Sequence, residues 1–122
     1  MGRFREDPGF MTPLLVHHHD DEQFYVLDGV LSIYSNDGWH ALTAGEPALA
    51  PRGTPHAQGN TSAQPVHFLG SGSSAGFEGF FPAIEALVNR RMPSDPQFPA
   101  ELARISAQFD TEFLEPAPNG DA

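Results

Sequence analysis

Two short stretches of this chain hold the residues that could do chemistry. Residues 17–22 are three histidines followed by three acidic residues, and residues 51–56 end on His56. Imidazole and carboxylate are the common protein ligands of first-row metals, and both groups also transfer protons. Each stretch lies just before a predicted β-strand. If the two strands belong to one barrel, their side chains converge on a single interior point. The two stretches therefore predict a site for a metal or for acid/base chemistry.

Strands must position these residues, and the turn signals between residues 13 and 71 predict several. Aromatic and β-branched runs alternate with turns at Asp28-Gly29, Asn36-Asp37-Gly38 and Ala44-Gly45. The final predicted strands lie near 56–60 and 66–69. Short strands at such regular spacing are typical of an antiparallel barrel or sandwich. We therefore predict a β-barrel over residues 13–71.

The two ends of the chain differ from this central region. Residues 1–12 are predicted to be irregular, because Gly2, Pro8 and Gly9 are poor strand formers. A Gly/Ser-rich connector at 70–76 is predicted to be flexible. The segment 72–115 is predicted as a helical extension, since apolar residues recur at helical spacing over 78–91 and 99–109. Residues 116–122 are predicted to form a flexible tail.

Composition narrows the class of protein. A chain of 122 residues suits one domain, and the absence of cysteine restricts any metal site to nitrogen and oxygen ligands. The formal net charge of −10, with only six Lys and Arg, argues against a nucleic-acid partner. No apolar run approaches the roughly 20 residues of a membrane span. The N-terminus does not resemble a signal peptide, so we expect a cytoplasmic protein that does not contact membranes.

Alternation along the strands selects the side chains that share the interior with the histidines. Residues i and i+2 of a strand face the same side, so Glu22 and Phe24 share one face, and His56, Gln58 and Asn60 share another. An ionised Glu22 inside a barrel must be paired or bound to a cation. Gln58 and Asn60 are candidate substrate-pocket residues, although Asn60 could instead form a turn. Phe24 and Phe68 are candidate apolar pocket residues, with core packing as the alternative.

These spacings resemble the two motifs of the cupin family. Gly45-x5-Pro51-x-Gly53-x2-His56-x3-Asn60 is similar to the second cupin motif, and Glu22-x6-Gly29 is similar to the second half of the first. The resemblance is to small single-domain bacterial cupins, of the quercetin-dioxygenase-like kind. It implies a mainly β fold, in which a jelly-roll barrel of short antiparallel strands precedes the two C-terminal helices.

The resemblance also implies a metal site. His17, Glu22 and His56 fall on family ligands, whereas Leu15 replaces the first ligand histidine. Three possibilities follow: a three-ligand centre for a divalent metal (Fe, Mn, Ni or Zn), a register slip that turns His18 or His19 inward, or a metal-free pocket. In that pocket Glu22 and His56 would be the catalytic acid/base residues. Otherwise, His18 and His19 are expected to lie in solvent, and the following Asp20-Asp21 in a solvated turn.

The function that these residues favour is a metal-dependent oxygenase acting on a small organic molecule, such as an aromatic or polyketide-like compound. A two-His-one-carboxylate set leaves coordination positions open, as in iron(II) oxygenases. The alternatives are a metal-independent isomerase, cyclase or dehydratase, and a non-catalytic cupin that binds a small molecule. Because few residues precede the first motif, we expect a barrel edge to be completed by a second subunit in a homodimer.

Overall fold

A computed structural model describes residues 2–35, 38–73, 80–92 and 94–116. Within these ranges the chain forms nine strands and two helices. In chain order they are β1 (Gly2–Glu6), β2 (Leu14–His17), β3 (Glu22–Asp28), β4 (Val30–Ser35), β5 (Gly38–Thr43), β6 (Pro47–Ala50), β7 (Ala57–Gly59), β8 (Val66–Gly72), α1 (Phe80–Arg90), α2 (Phe98–Ala107) and β9 (Thr111–Glu115). The fold is mainly β, with the two C-terminal helices that the sequence predicts.

The strands form two larger antiparallel sheets and one smaller one. Their orders are β1-β8-β3-β6, β5-β4-β7 and β2-β9. The core lies between the two larger sheets, where strand alternation turns one apolar set inward. Its buried members are Phe24, Val26, Leu31, Ile33, Ala50, Val66 and Phe68. This arrangement is consistent with a jelly-roll.

The tight turn between β3 and β4 forms where the sequence predicts it. Gly29 has φ +89°, a left-handed conformation that favours glycine. A Cβ at this position would lie 2.6 Å from the carbonyl oxygen of Pro65. The predicted Asn36-Asp37 turn lies outside the described residues.

The expectation that residues 1–12 are irregular is wrong for the first of them. Gly2–Glu6 form β1, which pairs antiparallel with β8 from Gly2 opposite Gly70 to Glu6 opposite Val66. The missed signal is alternation: Phe4 and Glu6 face inward, whereas Arg3 and Arg5 are exposed. Pairing with a distant strand outweighs the poor strand propensity of Gly2, because β propensity depends strongly on context.

The C-terminal region contains one strand that the sequence analysis misses. Thr111–Glu115 form β9, paired antiparallel with β2, so the segment 72–115 is not purely helical. The predicted connector is also shorter than expected, because β8 continues to Gly72. Residues 74–76 of the connector, the following 77–79, and 117–122 of the predicted tail lie outside the described residues. Within the described part of the chain, no helix is long and apolar enough to cross a membrane.

Candidate metal centre

Three strand ends bring the candidate ligands together. His17 is the last residue of β2, Glu22 is the first residue of β3, and His56 directly precedes β7. An antiparallel bridge between Leu15 and His56 places β2 beside the loop that leads into β7. The amide N–H of Gly53 also donates to the carbonyl oxygen of His17, at 2.8 Å. The two motifs are therefore joined by backbone hydrogen bonds before any side chain contributes.

The three side chains converge in the interior. Glu22 Oε1 lies 3.2 Å from His17 Nε2 and 2.9 Å from His56 Nε2. One potential ligand atom from each residue lies within 4.8 Å of the other two. The three residues are buried, with exposed fractions of 2%, 8% and 1% for His17, Glu22 and His56. The sequence-predicted ligand set is thus assembled in space.

The opposite nitrogen of each imidazole already has a hydrogen-bond partner. His56 Nδ1 lies 3.0 Å from the carbonyl oxygen of Thr54, which only accepts, so Nδ1 carries the proton. His17 Nδ1 lies 2.7 Å from Thr111 Oγ1. The Thr111 hydroxyl also contacts the carbonyl oxygen of Phe109 at 3.4 Å, and its lone pairs accept when His17 Nδ1 carries the proton. With both protons on Nδ1, the neutral imidazoles direct unprotonated Nε2 atoms toward Glu22.

This arrangement requires a cation. Two nitrogen lone pairs face one carboxylate oxygen, so neutral histidines would repel the ionised Glu22 unless a proton or a metal lies between them. Ligands about 2.1 Å from one metal are themselves roughly 3 Å apart in octahedral geometry. The 2.9 and 3.2 Å separations match that spacing. The donor set fits a first-row divalent metal.

When no metal is bound, a proton on an imidazole can supply the positive charge that the Glu22 carboxylate needs. Burial raises the pKa of Glu22, but hydrogen bonds from His17 and His56 outweigh it and hold that pKa below its usual range. Burial lowers the pKa of His56, yet the neighbouring Glu22 carboxylate raises it above its ordinary value overall. Without metal, the site is therefore an ion pair with a strong tendency to hold a proton on imidazole.

The rest of the histidine run points away from the centre. His18 and His19 are exposed, and their Nε2 atoms lie 3.2 Å from Glu112 and 4.0 Å from Asp110. The observed register therefore turns His17 inward and excludes the slip that would bring in its neighbours. The solvated Asp20-Asp21 turn is only half correct: Asp20 is buried, while Asp21 accepts hydrogen bonds from the backbone and side chain of Arg52.

Phe24 and Phe68 lie in the core cluster, with ring centroids 6.2 Å apart. Phe24 shares the inward face of β3 with Glu22, so the apolar core begins one inward position beyond the candidate ligand. Both rings are buried and packed, as the core-packing alternative expects. Any contact with a substrate stays a prediction.

Asn60 belongs to a loop rather than to the pocket, which corrects its assignment as a substrate contact. Its Nδ2 donates to the carbonyl oxygens of Glu6 and Gln64, at 3.0 and 2.7 Å. Its Oδ1 accepts from the backbone and hydroxyl groups of Ser62. Two donors and two acceptor bonds use the full capacity of the amide, so none is left for a substrate.

Gln58 faces a buried acid that the sequence analysis misses. Its side chain hydrogen bonds to Glu6, which lies on the inward face of β1. Burial raises the pKa of Glu6 to about 7, the hydrogen bond from Gln58 offsets this in part, and the charge of Glu22 raises it further. One oxygen of Glu6 and the oxygen of Gln58 are buried without a hydrogen-bond partner. A second polar cluster thus lies within electrostatic reach of the candidate ligands.

Comparisons with known proteins identify the family to which this fold belongs. The cupin domain model matches residues 2–71, which is more than half of the chain. The chain therefore belongs to the cupin family. A search of curated proteins gives no significant match.

Solved structures with the same fold include proteins of several described activities. A sugar phosphate isomerase from Silicibacter pomeroyi is 28% identical, with TM-score 0.55, over 60% of this chain and 48% of its own. A predicted oxalate decarboxylase from Thermotoga maritima is 26% identical, with TM-score 0.54, over 57% of this chain and 61% of its own. The polyketide cyclase RemF from Streptomyces resistomycificus is 28% identical, with TM-score 0.51, over 56% of this chain and 49% of its own. The chain thus spans less than two thirds of each of these proteins.

Proposed function

We propose that this cupin is a metal-dependent enzyme that acts on a small organic molecule, with His17, Glu22 and His56 as the metal ligands. The observation that carries the proposal is the convergence of the Nε2 atoms of His17 and His56 on Glu22 Oε1. The opposite nitrogens contact Thr111 and Thr54, and both partners can accept a proton from Nδ1, which is the tautomer that a metal on Nε2 needs. Burial then removes competing water from the ligand atoms.

Within this class, we propose an oxygenase-like reaction as the leading candidate. A metal bound by three protein ligands supplies open positions for substrate and, in the case of iron(II), for dioxygen. The chain supplies the rest: Glu22 provides the negative charge, and Phe24 begins the apolar core beside it. Glu22 and His56 are also the groups placed to move a proton. Quercetin-dioxygenase-like chemistry is the finer form of this proposal.

A metal-independent isomerase or cyclase is the second candidate, and two observations favour it. The structural neighbours described above include an isomerase and a cyclase. In addition, Leu15 stands where the cupin motif has its first ligand histidine, so only three candidate ligands remain. In this reading the hydrogen-bonded Glu22–His56 pair, 2.9 Å apart, moves a proton next to a substrate carbonyl. A cupin that binds a small molecule without turnover would use the same pocket.

Metal content separates these candidates. Protein prepared without an affinity metal is analysed by elemental mass spectrometry, before and after reconstitution with Fe(II), Mn(II), Ni(II) or Zn(II). The proposal expects about one equivalent in the wild type and a loss of it in His17→Gln. His19→Gln is the matched control, because this exposed histidine lies in the same run but outside the centre. Less than about a tenth of an equivalent in the reconstituted wild type would refute the metalloenzyme.

Oxygen consumption distinguishes the reaction classes once a metal is established. Small aromatic and polyketide-like compounds are screened in an oxygen electrode with the Fe(II)-loaded protein. Uptake that is lost in Glu22→Gln supports the oxygenase. Conversion of a compound without oxygen uptake supports the isomerase or cyclase, and tight binding without a product supports the binding module.

A further inference from the structure

The C-terminal strand β9 supplies a partner to one of the candidate ligands. Thr111 lies directly opposite His17 in the antiparallel pairing of β2 with β9. Its hydroxyl oxygen is 2.7 Å from His17 Nδ1, and both side chains are buried. The two residues are 94 positions apart in the chain. The orientation of His17 therefore depends on a segment outside the region that matches the cupin domain.

The chain directs Thr111 into the interior by a tight turn after α2. Asp110 adopts φ +55°, a left-handed conformation that Asp tolerates better than most residues. The backbone carbonyl of Asp110 accepts from the N–H of His18 at 2.9 Å. These contacts hold the start of β9 against the end of β2, at the level of the candidate metal centre.

The two candidate histidine ligands differ in how they are held. His56 is oriented by the carbonyl of Thr54, two residues away in its own loop. His17 is oriented by a side chain that reaches it only when the C-terminal segment, α2 and β9, is docked. Loss of that segment would remove the Thr111 contact from His17, whereas the Thr54 contact of His56 would stay.

We propose that Thr111 is a positioning residue for the metal centre, and that docking of the C-terminal segment and metal binding strengthen each other. This inference rests on the proposed metal site. When β9 is docked, the Thr111 hydroxyl holds the proton of His17 on Nδ1 and leaves Nε2 to the metal. By linkage, whatever factor docking adds to metal affinity, metal binding adds to docking.

The first test measures Co(II) affinity by competition with a chelating indicator, in full-length protein. Removing the partner of a metal-ligating histidine costs about 10- to 100-fold in affinity, and we expect that loss in Thr111→Val. Thr111→Ser keeps the hydroxyl and is expected to stay close to the wild type. Glu112→Gln is the matched control. Glu112 follows Thr111 on β9, but its side chain bonds the exposed His18 and not a candidate ligand.

The second test measures docking rather than affinity. Trypsin cleaves after the exposed Arg104 of α2 when the segment opens. Saturating Zn(II) is expected to slow this cleavage in the wild type and in Thr111→Ser, and to have a much smaller effect in Thr111→Val. If Thr111→Val does not fold, the comparison of wild type with and without Zn(II) still decides the coupling.

The outcomes separate this inference from the proposed function. A wild type that binds no metal refutes the metal site, and the inference with it. A wild type that binds metal refutes the inference alone if Thr111→Val binds Co(II) with unchanged affinity. Cleavage after Arg104 at the same rate with and without Zn(II) would refute the coupling.

Discussion

Replacing Glu6 by Gln should change how the stability of this protein depends on pH. Glu6 is 8% exposed, and its neutral form suits the interior better than its ionised form. Burial raises its pKa from 4.5 to about 7. Because the folded state holds this proton more tightly than the unfolded state, the contribution of Glu6 to stability is greatest below pH 4.5. It is lost as the pH rises through about 7.

The size of the effect follows from those two pKa values. At about 1.4 kcal/mol per pKa unit, the full cost of ionising Glu6 in the folded protein is about 3 kcal/mol. Between about pH 5 and pH 8, roughly 2.5 kcal/mol of this cost develops. Glu6→Gln resembles the neutral acid and does not titrate. The free energy of unfolding of the variant, relative to that of the wild type, should therefore rise by roughly 2.5 kcal/mol between about pH 5 and pH 8.

Urea denaturation at a series of pH values, with chelator present, provides the measurement. The titrations of Glu22 and His56 contribute to both proteins and largely cancel in the difference. Glu85→Gln is the control for the loss of one glutamate charge, since Glu85 is an exposed residue of α1. A difference between Glu6→Gln and wild type that does not change with pH would refute the reasoning.

Three further predictions follow from the same structure. Leu15→His places an imidazole two residues before His17 on the same face of β2. This variant is expected to bind Co(II) at least about tenfold more tightly, and an unchanged affinity in the competition assay would contradict that expectation. Leu31→Ala removes a fully buried core side chain and should cost about 2–5 kcal/mol in urea denaturation, whereas less than about 1 kcal/mol would mean that the core closes around the gap. We also propose a homodimer, supported by Tyr25 and Leu49, which are exposed on neighbouring strands of the outer sheet face. Light scattering should give twice the monomer mass for the wild type and a smaller mass for Leu49→Glu. A monomeric wild type would contradict the proposal.

Local patterns were enough to predict the parts of the fold that short segments specify. Turn signals such as Asp28-Gly29 predict the β3–β4 hairpin, because the tight turn needs a left-handed residue and glycine adopts that conformation most easily. Helical periodicity predicts α1 and α2 to within a few residues of their observed bounds. The resemblance to the cupin motifs implies that His17, Glu22 and His56 meet, and the three side chains do converge in the structure.

Strands that depend on a distant partner were not predictable in this way. β1 contains a glycine and charged residues, and it is ordered by pairing with residues of β8 that lie 60 to 68 positions away. β9 is five residues long and follows a helix, and it exists because β2 offers an unpaired edge. The inward position of Glu6 and the contact of Thr111 with His17 are consequences of those two pairings.

The sequence by itself determined the turns and most of the strands, because short segments specify them, and its resemblance to the cupin motifs implied which three side chains converge. Only the tertiary structure decided how that centre is supported. It assigned Asn60 to a loop, placed the buried Glu6 within reach of Glu22, and brought Thr111 of β9 against His17. These features depend on which distant strands pair, and pairing energy is set by the whole fold rather than by any one segment.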